Sequence, residues 1–129
     1  MLADSNIIYA ARPEHGRLRQ FIAEQITTVS AITYIEVLGY HRLDKAQQNL
    51  YHRLFQSLVI LPISMPVVEK AVHLRQQRRM SLGDALIAAT SMVHDLTVAT
   101  RNVSDFHWID GLSLVNPFDM LGLSNNHEQ

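Results

Sequence analysis

Apolar and polar positions along this chain switch between a period of two and a period near 3.6, and the switches mark its elements. Leu2 and Ala3 read as a short strand ending near Ala3, with a helix behind it. Thr27, Thr28 and Val29 read as a second strand, followed by helical stretches at 30–42 and 44–57. The run LVILPI at 58–63 reads as a buried strand stopped by Pro62 and Pro66. Helices over 66–79 and 82–94 precede the strands LTVAT at 96–100 and LSLV at 112–115. Strands separated by helices imply parallel pairing, because a parallel neighbour needs a long crossover connection. The predicted fold class is therefore α/β: a three-layer α/β/α sandwich with a central, mainly parallel sheet of about five strands.

The chain has 129 residues, enough to bury one substantial core. No repeat or long Pro/Gly/Ser linker divides it, so one domain is expected over 1–123, with 124–129 reading as a disordered tail. No cysteine is present, which removes disulfides, Cys-based zinc sites and thiol nucleophiles together. That composition suits a reducing compartment, and the cytoplasm is the expected location. No apolar run approaches the roughly 18 residues of a membrane span, and no basic segment precedes Asp4. Neither a signal peptide nor a membrane association is expected.

A formal charge of −1 means that the protein as a whole does not concentrate nucleic acid, so any attraction must come from local patches. Nine of the eleven basic residues are Arg, whose planar fork suits phosphate. The clusters Arg12, Arg17, Arg19 and Arg75, Arg78, Arg79 could each line a backbone track or simply form a solvated helix face. The seven histidines make no H-E-x-x-H pair, and zinc is not indicated.

In open parallel sheets, sites form outside the carboxyl ends of the strands. Asp4 and the 100–105 segment lie just beyond predicted strands, although Asp4 taken alone reads first as a helix cap or turn residue. Glu36 shares helical spacing with Ile32, Ile35 and Gly39, which sets a carboxylate on an apolar stripe. There it must meet a cation, accept hydrogen bonds or escape to a cleft. Asp84 follows Ser81 by three residues, the spacing of a capping box, and a first-turn acid also suits the helix dipole. Asp105 doubles as a turn residue. A compact α/β chain can gather all four acids, and such a cluster persists at low cost only if cations neutralise it. Hard oxygen ligands favour Mg²⁺ or Mn²⁺, which keep waters and accept phosphate oxygens.

In order and spacing, LADSNIIYA around Asp4, SAITYIEVLGY around Glu36, SLGDALIAATSMVHDLTVATRNVSDF from Ser81 to Phe106 and the closing GLSLVNPF resemble the PIN domain. Within it, they resemble the VapC-type toxins of bacterial toxin–antitoxin pairs. The resemblance runs from Met1 to about Phe118, with Ser5 standing where Thr is common. It implies metal-binding and catalytic roles for Asp4, Glu36, Asp84 and Asp105, with Ser5, Asn6, Thr100 and Asn102 in support. It further implies an endoribonuclease that uses Mg²⁺ or Mn²⁺ to activate water and leaves 5′-phosphate and 3′-hydroxyl ends. Its expected partners are an RNA substrate, a cognate antitoxin and a second copy of the chain. The apolar surface for those partners would come from the Ile32, Ile35, Tyr40 region and the Leu50, Leu54, Leu58 stripe.

Two other classes compete. A noncatalytic PIN-fold binding module would keep the fold and lose the need for the acids. A phosphoryl-enzyme of related layout would need a second Asp after Asp4 and a strand-end lysine, and Asp4-Ser5-Asn6 with Lys45 and Lys70 supplies neither.

Overall fold

Side chains alternate across a strand, so even a two-residue strand can serve two cores. The computed structural model describes residues 1–123, and its strands do this: Leu2 and Val98 face one core while Ala3 and Ala99 face the other. The strands are β1 (Leu2–Ala3), β2 (Thr28–Ser30), β3 (Val59–Leu61), β4 (Val98–Ala99) and β5 (Leu114–Val115). Helices α1 (Ser5–Tyr9), α2 (Gly16–Gln25), α3 (Ala31–Leu38), α4 (Lys45–Gln56), α5 (Met65–Gln77), α6 (Leu82–His94) and α7 (Pro117–Met120) connect or follow them. The sheet order is β3-β2-β1-β4-β5, with every pairing parallel and Leu2 in register with both Thr28 and Val98. The α/β/α sandwich and its parallel sheet agree with the sequence expectation.

One core packs α1, α2, α4 and α7 on one face through Ile8, Phe21, Phe55 and Phe118. The other packs α5 and α6 on the opposite face through Val67, Leu74, Ile87 and Phe106. Each large side chain buried this way contributes roughly 1.5–3 kcal/mol. Helix α6 is buried continuously from Ala85 to Ser91, and its three alanines bring its backbone close to the sheet and to α5. Helix α3 lies between the layers: Val37 joins the first core, and Ile32 packs against the second. This intermediate position carries Glu36 to the strand ends.

Several boundaries differ from the sequence expectation. The single helix after β1 is two, α1 and α2, separated by 10–15; Pro13 lacks an N–H and holds its predecessor out of helical angles. The helix placed at 30–42 spans only Ala31–Leu38, because Ser30 ends β2 and caps α3 by accepting the N–H of Ile32. LVILPI is not a buried strand. Its ordered part, β3, is the sheet edge, where Val59 and Ile60 are 58% and 39% exposed. Pro66 does not stop that strand but sits in the first turn of α5, where a missing N–H costs nothing. Helix α7 was not anticipated, although Asn116 capping the N–H of Phe118 and Pro117 at the first turn form a start signal. The tail assigned to 124–129 lies outside the described residues. Among the described residues, no helix is long and apolar enough to cross a membrane.

Candidate active site

The sheet order brings the ends of β1 and β4 side by side, and Asp4 and Thr100 follow them directly. Asp4 is buried and caps α1: its Oδ1 accepts the Ser5 N–H at 2.7 Å. Its Oδ2 accepts the Thr100 hydroxyl at 2.8 Å and the Asn6 amide Nδ2 at 3.2 Å. Thr100 Oγ1 in turn accepts the Asn102 N–H at 3.0 Å and lies 3.3 Å from Asn6 Nδ2. Asn6 Oδ1 accepts the Arg101 N–H at 3.2 Å, which closes a network across the two strand ends.

Glu36 reaches the same place from α3. Its Oε1 accepts the Ser5 hydroxyl at 2.8 Å. Ser5 Oγ also lies 3.1 Å from Thr33 Oγ1, one turn before Glu36. Glu36 is exposed, as is Ile35 on the stripe that it shares, while Thr33 and Val37 form the buried face of α3. Of the routes open to a carboxylate there, it takes the cleft edge with a hydrogen bond.

Asp84 enters from the first turn of α6, half-buried, with Ser81 Oγ accepting its N–H at 3.1 Å as the helix cap. Gly83, beside it, is a residue the sequence argument passed over. A Cβ at this position would lie 3.1 Å from Glu36 Oε2, so the glycine leaves room for the carboxylate against the α6 start. Asp105 is exposed at the end of a 3-10 turn, Val103–Asp105, and its N–H donates to the Asn102 carbonyl at 3.0 Å. Asn102 thus acts on both Thr100 and Asp105 through its main chain.

Burial pushes the Asp4 carboxyl up to about 6, against the opposing Thr100 and Ser5 hydrogen bonds and with the charges of Asp84 and Glu36 adding to it. Asp84 is also raised, mainly by burial, with the Ser81 bond opposing and the Asp105 and Glu36 charges adding. The four acids therefore feel one another. Among the described residues, no three His, Asp or Glu side chains are gathered tightly enough to form a ready metal cage.

The two arginine clusters separate in the fold. Arg12 lines a groove with Tyr9 and Tyr51, Arg19 one with Ile22 and Leu54, and Arg17 one with Phe21 and Leu121. Arg75 and Arg79 flank a common groove between α5 and α6.

Fold and site together define an α/β sandwich with an acidic cluster at the carboxyl ends of a parallel sheet. A family model described as PIN domain matches residues 1–111, and the chain belongs to the PIN-domain family. Toxin FitB of Neisseria gonorrhoeae is 33% identical over 138 residues, covering 92% of this chain and 98% of that protein. Ribonuclease VapC10 of Mycobacterium tuberculosis is 33% identical over 89 residues, 65% of each chain. A solved toxin–antitoxin complex from Klebsiella pneumoniae contains a chain 30% identical to this one. It superposes with a TM-score of 0.75 over 90% of this chain and 96% of its own.

Proposed function

We propose that this protein is a divalent-metal-dependent endoribonuclease toxin of the cytoplasm, neutralised by a cognate antitoxin. The relatives named as a toxin and a ribonuclease support this, and so does the solved toxin–antitoxin complex. The observation that carries it is the convergence at the strand ends of Glu36 and buried Asp4, bridged by Ser5, with Glu36 set against Gly83 at the α6 start that bears Asp84. The charges acting on Asp4 and Asp84 are all carboxylates, so the cluster is held against like-charge repulsion.

Such a donor set fits Mg²⁺ or Mn²⁺: every candidate ligand is a hard carboxylate oxygen, and the spread of the acids leaves room for the waters such an ion keeps. Asp4, Glu36, Asp84 and Asp105 would hold it. When bound, the ion would activate water and stabilise charge on the scissile phosphate. Thr100 and Asn6 fix the position of Asp4 Oδ2 by donating to it, and the Thr100 bond favours its ionised form against burial. Ser5 positions Glu36 Oε1 by donating its hydroxyl to it, so these carboxylates are preorganised before substrate arrives.

The antitoxin and a second copy of the chain belong to the same proposal. The α2–α4 groove, lined by Ile22, Leu50, Leu54 and Leu58 with Arg19 and Arg53, suits an amphipathic acidic helix. Exposed Ile35, Tyr40, Val72 and Leu82 offer apolar area for a homodimer, which sedimentation of the antitoxin-free protein would measure.

The test is cleavage of mixed cellular RNA by antitoxin-free protein in Mg²⁺ or Mn²⁺ against EDTA, beside Asp4→Asn. Discrete fragments that require metal and vanish in the variant are expected. Wild-type protein that binds RNA and antitoxin yet cleaves nothing in any metal would overturn hydrolysis in favour of a noncatalytic PIN-fold module.

A further inference from the structure

Resting on the ribonuclease proposal, we infer that Arg78 and Trp108 form a platform that binds single-stranded RNA beside the acidic cluster. The Arg78 guanidinium carbon lies 5.5 Å from the Trp108 ring centroid, within cation–π range. The pair joins the two segments that deliver Asp84 and Asp105. Arg78 caps the C-terminus of α5, three residues before Ser81, whose side chain caps α6 and holds the Asp84 N–H. Trp108 donates its indole N–H to the Asp105 carbonyl at 3.1 Å, which fixes the ring beside that acid. Between them, Arg75 Nε donates to the Met80 carbonyl at 3.3 Å and ties down the α5–α6 turn.

The chemistry of the pair matches a nucleotide. Stacking on an indole uses the guanidinium face and leaves its in-plane N–H groups for phosphate oxygens. Arg78 and Arg79 are both exposed, and Trp108 is half-buried with its inner side packed on the α5–α6 core. Net charge is −1, so a local basic and aromatic patch is the means by which this chain can offset its own acids and hold a polyanion there. Single strands are the fitting form, because their bases are free to stack on the outer face of the guanidinium that Trp108 backs.

Trp108 is the chain's one tryptophan, so its emission reports on this site alone. Full-length, antitoxin-free Asp4→Asn protein would be titrated with oligouridylate and oligoadenylate, and with an RNA duplex as control. A saturable change in emission is expected with the single strands and little with the duplex. In Arg78→Ala, affinity should fall about tenfold and the log–log salt slope should shrink by about 0.7, the loss of one phosphate contact on a single strand. In the active background, Arg78→Ala and Trp108→Ala should raise KM far more than they lower kcat, with Arg78→Lys and Trp108→Phe recovering part of the loss.

If single-stranded RNA binds by an independent filter assay while Trp108 emission stays constant, the platform is overturned. The same holds if the alanine variants lose thermal stability but keep the wild-type KM and salt slope, since the pair would then only staple α5 to the Asp105 turn. Metal-dependent cleavage by the wild type in either case leaves the ribonuclease proposal standing. RNA binding on the platform without cleavage in any metal would keep the platform and remove hydrolysis.

Discussion

Asp4 and Asp84 stand in one cluster, but only Asp4 adds bonds across the sheet to its local cap. At the β1–β4 end, local bonds from Ser5, Asn6 and Asn102 are joined by three that link Asp4, Asn6 and Thr100–Arg101 across 94 to 96 positions of sequence. At the α6 end, Asp84 is held by a cap from Ser81, three positions away. The first arrangement exists only when the sheet is assembled, whereas the second forms with the first turn of a helix. Burial accompanies the difference: Asp4 is buried, Asp84 half-buried and Asp105 exposed. The cluster thus combines a rigid, desolvated anchor with acids on shorter local supports. The folding energy spent on holding a charge is concentrated at Asp4.

The largest effect should follow from neutralising that anchor. Asp4→Asn should lower metal-dependent cleavage by at least about a thousandfold, the scale seen when an electrostatic centre of catalysis is removed. The same variant should be more stable when metal is stripped with EDTA. Because the folded Asp4 carboxyl is raised from 3.8 to about 6, the folded state holds the proton more tightly. Its stabilising contribution is present below about 3.8 and is lost as pH rises through about 6. The stability gain of Asp4→Asn over wild type should therefore be small near pH 4 and reach about 2–3 kcal/mol by pH 7, measured by urea unfolding. The Mg²⁺ concentration needed for cleavage by the wild type should rise as pH drops below about 6, where metal-free Asp4 takes up a proton that the ion must displace. A stability difference independent of pH would mean that Asp4 is not the desolvated anchor.

Next in size is the contrast between the two supports. Thr100→Val removes the donor to Asp4 Oδ2 and the acceptor of the Asn102 N–H, both in the buried network. It should cost about 1–3 kcal/mol and raise the half-saturating Mg²⁺ concentration about tenfold, as loss of a ligand's supporting hydrogen bond does. Ser81→Ala removes a local cap and should cost about 1 kcal/mol, with a much smaller change in metal requirement. Equal metal effects from the two variants would abolish the distinction between anchor and local support.

The same distinction governs what the sequence disclosed. Ser81 with Asp84 was legible because a cap is a three-residue pattern, and the strand-end rule pointed to Asp4 before any partner was visible. Thr100 bonding Asp4, or Ser5 bonding Glu36, depends on which strands and helices become neighbours, which hydropathy does not encode. LVILPI failed for the same reason: a run of Val, Ile and Leu has one pattern at the edge and at the centre of a sheet, and only the order β3-β2-β1-β4-β5 makes β3 an edge. For Glu36 the sequence placed the helix and left three routes open, and it could not choose the cleft edge because that depends on α3 lying between two layers with its apolar stripe covered only in part. Gly83 gave no signal, since its importance lies in the space it leaves for a side chain 47 positions away in sequence.

That glycine provides the finest test, because its two effects should have opposite signs. Ala is the better helix former, and Gly83 has a backbone angle that Ala can adopt, so Gly83→Ala should stabilise the fold by about 0.5 kcal/mol. The new Cβ would lie 3.1 Å from Glu36 Oε2, and the carboxylate would have to yield by a few tenths of an ångström while Ser5 holds Oε1. A displacement that small should reduce kcat/KM about threefold to tenfold, because the carboxylate's value lies in its placement. Glu36→Asp shortens the side chain and restores room, so adding it to Gly83→Ala should cost less than Glu36→Asp does in the wild type. Thermal melts and single-turnover cleavage of all four proteins measure both signs. Additive effects of the two substitutions would show that the α6 start and Glu36 act independently, and the local half of the cluster would then extend no further than Asp84 and its cap.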